Sequence, residues 1–355
     1  MKTYINGIGC VSAQKTFEGD FASAFETHEN LNVLSVEAPP YKDYFSPIAA
    51  RRMAKGVKNG IVASTIAMKE SGLEMPDAII TGTGMGCIED SDKFLKAIID
   101  NNEEFLTPTS FIQSTHNTVA AQIALGLQCK AYNFTYVNAA VSFESALLDA
   151  KLQIDEGEAN STLIGAIDEM TDYTVSLFKL AGFIKKDSEA VFPVLDSKTS
   201  GTVFGEGATF FVLENTRKSS TYAEVKDVEI INEIALDLLA EKAEQFLKTN
   251  GLSVSDIDLL ITGINGDAAF NDYYEALTSQ FAGTSQAYYK HLSGEYNTAS
   301  AFGLYVGANI IRSQQVPQIL KSNNLSKPQY KHILLYNQYR GIDHSFTLIS
   351  HVETP

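Results

Sequence analysis

The segment FTYVNAAVSF, residues 134–143, joins two kinds of local pattern. Residues 134–137 are alternately aromatic and β-branched, which is typical of a β-strand. Residues 143–154 have the apolar spacing of a helix. A strand that leads directly into a helix around Ala140 is one unit of an α/β fold.

The same alternation continues on both sides of this segment. In the first half, the sequence predicts strands at 3–9, 78–82, 134–137, 162–166 and 208–213, and helices at 57–71, 116–125 and 143–154. From Ala223 the order begins again, with strands at 225–231, 259–262, 333–336 and 345–349, and helices at 235–248, 272–280 and 299–312. This alternation indicates a mixed sheet that is covered on both faces. We expect one unit, 1–355, with an N-terminal half 1–220 and a C-terminal half 221–355. The linker-like stretches 187–200 and 313–331 are not expected to separate domains.

Composition narrows the possible functions. With 355 residues, 45% of them hydrophobic, the chain can bury a sizeable core. No apolar stretch reaches the roughly 20 residues needed to cross a bilayer, so we expect a cytoplasmic protein without a membrane partner. The formal net charge of −16 disfavours nucleic-acid binding, because binding to phosphates needs a positive surface. Cys10, Cys87 and Cys129 lack CxxC spacing, so neither a disulfide framework nor a zinc site is expected.

Several short motifs occur in a defined order over most of the chain. They are YINGIG at 4–9, RRM at 51–53, TGTGMG at 81–86, NTVAAQIA at 117–124, GAIDE at 165–169, Pro193 with Asp196, and FGEGA at 204–208. In this order the motifs resemble those of β-ketoacyl synthases, the thiolase-like condensing enzymes of fatty-acid and polyketide assembly. The resemblance implies a duplicated five-layer αβαβα fold with mixed sheets, in which both halves share one core.

The resemblance also implies a catalytic cysteine at the start of a buried helix, where the helix dipole lowers the pKa of the thiol. In this chain that position is Ala140, and a methyl group cannot form a thioester. Ser142 is a poor substitute, since a residue two positions along a helix points about 200° around its axis. We therefore expect no nucleophile at this site.

Condensing enzymes also use two histidines that donate hydrogen bonds to the thioester oxygen. The first is replaced here by Asn265, and the second, which follows a Lys-x-x-x-Gly pattern, is replaced by Glu295. Lys290 of that pattern is retained, and we expect it to pair with Glu295. The C-terminal glycine-rich loop that supplies an oxyanion-hole amide reads NQYRGIDH at 337–344, and only Gly341 remains of its glycine pattern.

A chain that lacks all four of these elements resembles the chain-length-factor subunits, which lack the cysteine and pair with a catalytic ketosynthase. Those subunits usually have glutamine where this chain has Ala140. The segment FIQSTHN at 111–117 also resembles chain-length-factor-like proteins of aryl-polyene pathways. The leading hypothesis is a non-catalytic partner that completes the acyl tunnel, without a cofactor or a metal. The expected tunnel or gate residues are Phe111, Gln113, His116, Phe143 and Arg340.

Two alternatives remain open. One is an active condensing or acyl-transfer enzyme with another nucleophile, such as Cys87 after the glycine turn. The other is a homodimeric carrier-binding or acyl-binding scaffold. An acyl carrier protein is acidic, so it would dock on a local group of cations. Four cations are candidates, because their spacing predicts that they lie on one side of the start of a helix. The competing interpretation is an ordinary solvated helix face. These cations are Arg51, Arg52, Lys55 and Lys58.

Overall fold

The computed structural model describes residues 1–19, 21–28, 31–186 and 193–352. The stretch 187–192 of the predicted linker therefore lies outside the described residues. Within the described ranges, no helix is both long enough and apolar enough to span a membrane.

The strands alternate with helices along the chain. The strands are β1 (Thr3–Val11), β2 (Val33–Leu34), β3 (Ala78–Gly82), β4 (Tyr132–Tyr136), β5 (Ser161–Asp168), β6 (Phe204–Gly205), β7 (Gly207–Glu214), β8 (Ala223–Asn232), β9 (Leu259–Thr262), β10 (Ser285–Tyr288), β11 (His332–Tyr339) and β12 (Asp343–Ser350). The helices are α1 (Pro47–Ala50), α2 (Lys55–Ser71), α3 (Ile88–Asp100), α4 (Pro108–Ser114), α5 (Thr118–Leu127), α6 (Ser142–Glu156), α7 (Asp172–Leu180), α8 (Leu239–Thr249), α9 (Asn271–Gln280), α10 (Lys290–Ser293) and α11 (Ser300–Ser313).

Both halves of the chain contribute to one mixed sheet with the order β10-β9-β11-β12-β8-β1-β7-β5-β3-β4. In the first half, β3 is parallel to β4 and β5, whereas β7 is antiparallel to β5 and β1. In the second half, β9 is parallel to β10 and β11, whereas β12 is antiparallel to β11 and β8. The two halves thus repeat the same strand order and directions, which confirms the predicted duplication.

The pairing of β1 with β8 joins the two halves, with Thr3 opposite Val225 and Ile5 opposite Ala223. On one face of the sheet, α2 packs so closely on β1 that a methyl group on Gly9 would lie 1.9 Å from the carbonyl oxygen of Ala63. Glycine is therefore required there. On the other face, one hydrophobic cluster contains side chains from both halves. The halves share a core, as the resemblance implies.

The differences from the sequence-based expectations are local. The strand β10 was not predicted because its sequence SQAY lacks an alternation of apolar and polar residues, although every one of its residues is buried. The helices α3, α4 and α7 were not predicted either. The helix α5 begins at Thr118, so His116 precedes it instead of belonging to it.

Candidate functional site

The structure places Ala140 in a single 3₁₀ turn, Ala139–Val141, between β4 and α6. Ala140 is buried, and Ala139 has a left-handed backbone with φ of 44°. The hydroxyl of Ser142 is occupied locally: it accepts from the N–H of Asn138 at 2.8 Å and lies 2.8 Å from the carbonyl of Ala139 and 3.1 Å from that of Thr83. Ser142 therefore caps the turn and offers no free nucleophile.

Asn265 and Glu295, which the sequence resemblance aligns with the two histidines of condensing enzymes, are in direct contact. The Asn265 amide donates to one Glu295 oxygen at 2.6 Å. The Lys290 ammonium donates to both oxygens of Glu295, at 2.8 and 2.7 Å. All three side chains are buried. The predicted pairing of Lys290 with Glu295 is confirmed, and Asn265 completes the network.

A pocket borders this network at the ends of β5, β6 and β11. Its wall includes Asn265, Glu295, Tyr339, Arg340 and the rings of Phe183 and Phe270. The cavity volume is only ≈ 30 Å³, which is room for about one or two water molecules. Side chains of this chain therefore fill most of the space between the network and the surface.

The turn between β11 and β12 supplies much of this filling. Arg340 has a φ of 53° and Gly341 a φ of 68°, both left-handed. The Arg340 guanidinium lies 4.2 Å from the ring centre of Phe183 and 5.2 Å from that of Phe270. At the other end of the turn, burial raises the pKa of the Asp343 carboxyl above its ordinary value.

Two neighbouring carboxylates at the end of β5 hold the surrounding loops. Asp168 accepts from Thr83 Oγ1 and from the N–H groups of Gly84 and Met85 at 2.9–3.0 Å. Asp168 also accepts from the N–H and hydroxyl of Thr298 at 3.0 and 2.8 Å, which ties the first half to the second. Burial raises the pKa of Asp168 above its ordinary value. Its place at the end of a buried strand is a sequence signal for this role.

Glu169 lies beside Asp168 and also borders the pocket. Its two carboxylate oxygens accept from the backbone N–H groups of Gly56 at 2.5 Å and Glu89 at 3.0 Å. Burial raises the pKa of Glu169 to about 7. This carboxyl is therefore a titratable group of the pocket with a pKa near neutrality. The sequence motif that contains it did not indicate this role.

The candidate tunnel residues fall into separate places. Arg340 lines the pocket with Glu295, whereas Phe111, Gln113 and His116 are absent from its wall. Phe111 is 54% exposed on α4 and contacts Phe94 at 5.2 Å between ring centres. His116 is exposed in the turn before α5. Phe111 and His116 thus lie at the surface, whereas Gln113 is half-buried.

Phe143 lies deeper, on α6. It is 1% exposed, and its ring centre is 5.7 Å from that of Phe211. It borders a residual cavity of only ≈ 10 Å³, together with Tyr289 and Leu304. Phe143 therefore fills interior space beside the Ala140 turn.

Of the four candidate docking cations, only Lys55 and Lys58 belong to a helix, α2. Because α2 begins at Lys55, Arg51 and Arg52 lie in the turn before it, where both are exposed. The Lys55 ammonium contacts the Glu206 carboxylate at 2.6 Å. The Lys58 ammonium lies 5.4 Å above the ring of Tyr41. Arg51 and Arg52 are thus the two most available charges of the four.

Cys87, the alternative nucleophile, is 1% exposed. Burial, followed by the nearby Glu169 and Asp90 carboxylates, raises the pKa of its thiol far above the ordinary value. Little thiolate is present near neutral pH, so this thiol is a weak nucleophile. No cluster of three or more His, Cys, Asp or Glu side chains among the described residues could hold a metal ion.

Solved structures with this fold extend over nearly the whole chain. A chain of the ishigamide ketosynthase/chain length factor superposes with a TM-score of 0.82 at 17% identity and covers 99% of both chains. A β-ketoacyl synthase from Burkholderia phymatum STM815 gives 0.81 at 17% identity, over 99% of this chain and 100% of its own. A chain from the complex of the ketosynthase ApeO with its chain length factor ApeC, from Xenorhabdus doucetiae, gives 0.77 at 13% identity, over 99% and 98%. At these identities the likeness establishes the fold.

Sequence comparison establishes the family. No curated protein matches the chain by sequence. The sequence profile of the β-ketoacyl synthase N-terminal domain, however, matches residues 13–219, more than half of the 355 residues. Together with the duplicated sheet, this match shows that the chain belongs to the β-ketoacyl synthase family.

Proposed function

We propose that this chain is a non-catalytic, chain-length-factor-like partner of a β-ketoacyl-[acyl-carrier-protein] synthase in type II polyketide, polyene or fatty-acid-like biosynthesis. It completes the acyl tunnel of the catalytic subunit. The observation that carries the proposal is the buried network of Lys290, Glu295 and Asn265. By the sequence resemblance, Asn265 and Glu295 occupy the positions of the two histidine donors that condensation needs.

The chemistry of this network opposes condensation. An ionised carboxylate only accepts hydrogen bonds, and a developing enolate needs donors. Both oxygens of Glu295 already accept from Lys290, and one of them also accepts from Asn265. The Ala140 methyl group offers no nucleophile to hold an acyl chain.

The edge of the sheet supports a partner subunit. Within the described residues, β4 pairs only with β3 and leaves its other edge free. Tyr132 and Phe134 on this edge are 46% and 45% exposed, and Val137 beyond it is 51% exposed. An exposed aromatic edge strand favours pairing with another chain. We propose that the catalytic ketosynthase covers this edge in a heterodimer.

The structural relatives suggest which molecules to test. ApeO is a ketosynthase in complex with its chain length factor, ApeC. AntDE:AntF is a type II polyketide acyl-carrier protein in complex with its ketosynthase; a chain of it matches with a TM-score of 0.76, at 16% identity, over 99% of both chains. By analogy, we propose that this chain binds a ketosynthase and that an acyl carrier protein docks on the pair.

The decisive experiment combines this chain with a ketosynthase that has an intact cysteine and both histidines. We expect native mass spectrometry to detect a one-to-one complex. We also expect this complex to condense acyl and malonyl carrier substrates. The isolated chain, and its Ala140→Cys variant, should show no condensation. A stable homodimer that binds none of these ketosynthases would favour the scaffold alternative. Turnover by the pure isolated chain would favour the enzyme alternative.

A further inference from the structure

A second cleft lies at the end of the sheet opposite the Ala140 turn. The strand β1 runs in the same direction as β4, so the start of β1 lies far from the turn that follows β4. Tyr4 of β1 lies opposite Glu224 of β8, and both line the cleft together with His332 at the start of β11. The ends of four neighbouring strands, β1, β8, β12 and β11, thus form the floor of this cleft.

The wall of the cleft is rich in positive charge. Three cations line it, Lys2, Arg217 and Lys331, and they define what we call the basic cleft. Among the described residues, Glu224 is the one carboxylate in its wall. The chain as a whole has a formal net charge of −16, and the pocket beside Glu295 has four carboxylates and one cation in its wall. An anion is therefore attracted to the basic cleft and repelled by the pocket.

Two of the three cations are available to an external anion. The Glu224 carboxylate is already paired with the ammonium groups of Lys2 at 3.3 Å and Lys226 at 3.1 Å. In the part of the chain that the structure describes, neither the Arg217 nor the Lys331 side chain has a salt bridge or a hydrogen bond. The planar guanidinium of arginine matches two oxygens of one phosphate group, and lysine adds a point charge.

Backbone hydrogen bonds fix the rim of the cleft. The Asp258 carboxylate accepts from the N–H groups of Lys331 at 2.7 Å and His332 at 3.1 Å, and the carbonyl of Lys331 accepts from the N–H of His351 at 2.7 Å. His351 also lines the cleft, and its buried Nδ1 atom has no hydrogen-bond partner among the described residues. The cations are thus held on ordered backbone, which lowers the entropic cost of binding a ligand.

We infer that the basic cleft binds a small molecule that carries a diphosphate group. The inference is independent of the proposed function. The cleft volume of ≈ 540 Å³ suits a molecule of nucleotide size. Only Tyr4 and Val352 offer large apolar surfaces in its wall, so the lining favours a polar ligand over a fatty acyl chain.

Isothermal titration calorimetry with pyrophosphate tests the inference, at about 0.15 M ionic strength so that long-range attraction is screened. Arg217→Ala with Lys331→Ala should weaken binding about tenfold or more, because both unpaired cations are lost. Lys248→Ala with Lys327→Ala is the control: it changes the net charge equally, and both lysines line a separate groove of ≈ 690 Å³. The control should change the affinity less than about twofold. Urea midpoints verify that each variant is folded.

The histidine rings report where the anion binds. Of the six histidines, His332 and His351 line the basic cleft, whereas the other four lie outside its wall. In NMR spectra of protein with labelled histidine, pyrophosphate should shift the signals of these two rings and leave the other four unchanged. Single His→Gln variants assign the signals.

ADP distinguishes the two sources of a diphosphate group. Tighter binding of ADP than of pyrophosphate would identify a diphosphate ester as the ligand, and the reverse would identify free diphosphate; both results support the inference.

Four results would overturn the inference. They are no binding of either compound at about 1 mM, equal losses in the two double variants, histidine shifts only outside the basic cleft, and tighter binding of a hexaglutamate peptide than of both phosphate compounds. The last result would identify an acidic protein segment as the occupant. Because the measurement needs neither a ketosynthase nor turnover, its failure would leave the proposed function standing.

Discussion

The ammonium of Lys290 lies 2.8 and 2.7 Å from the two oxygens of Glu295, and both side chains are almost completely buried, at 1% and 4% exposed. A buried ion pair is costly to break, because the remaining charge loses its partner in a medium of low dielectric constant. The sequence resemblance aligns Glu295 with a histidine donor of condensing enzymes, and we expect the contribution of this pair to be structural.

The first prediction concerns this ion pair. Glu295→Ala should reduce the free energy of unfolding by about 3–5 kcal/mol, because it leaves Lys290 charged and buried. Urea unfolding measures the change. Lys93→Ala is the control: Lys93 contacts Glu89 at 2.7 Å, but both side chains are exposed, so its loss should cost less than about 1 kcal/mol. Equal effects of the two substitutions would contradict the structural role.

The second prediction concerns pH. Burial raises the pKa of Glu169 to about 7, above its ordinary value of 4.5. Between pH ~4.5 and about 7, the folded state therefore keeps a proton on Glu169 that the unfolded state releases. The contribution of this group to stability is fully present below pH ~4.5 and is lost as the pH rises through about 7. The loss amounts to roughly 3 kcal/mol.

Glu169→Gln removes this titration. Urea midpoints measured from pH 5 to pH 8 should decrease less steeply with pH in the variant than in the wild type, even if the variant is less stable at every pH because one backbone donor loses its acceptor. Parallel curves for the two proteins would show that Glu169 titrates normally.

The third prediction concerns carrier docking. Arg51→Glu with Arg52→Glu should weaken binding of an acidic carrier protein to the ketosynthase complex, because both charges are exposed beside α2. The loss should be largest at low salt, since such charges are screened within about 10 Å at ordinary ionic strength. Lys248→Glu with Lys331→Glu, two exposed lysines of the C-terminal half, is the control for overall charge. If both pairs weaken binding equally, the effect comes from net charge instead of a docking site.

The fourth prediction concerns the tunnel. If Phe111, 54% exposed on α4, caps the acyl tunnel of the partner, Phe111→Ala in the reconstituted complex should lengthen or broaden the product distribution without abolishing turnover. Product chain lengths are read by mass spectrometry. Ile99→Ala on α3 is the control, since Ile99 is 74% exposed but was not assigned to the tunnel. An unchanged product profile in Phe111→Ala would remove Phe111 from the tunnel.

Sequence reasoning predicted the repeated strand order because apolar alternation and helical spacing recur after Ala223. It missed β10, because the residues of this strand are all buried but their sequence shows no alternation of apolar and polar residues. The Lys290–Glu295 pair was predictable because the two residues are five positions apart. The hydrogen bonds from Thr298 to Asp168 were not, because they join segments 130 residues apart and depend on how the two halves of the chain pack together.

The central claim is that this chain supports condensation without performing it. The most direct measurement is turnover of acyl and malonyl carrier substrates by the reconstituted complex after the ketosynthase's own nucleophilic cysteine has been changed to alanine. The account predicts no condensation product, because Ala140 and Glu295 provide neither a nucleophile nor a donor. Product formed by that complex would contradict the account.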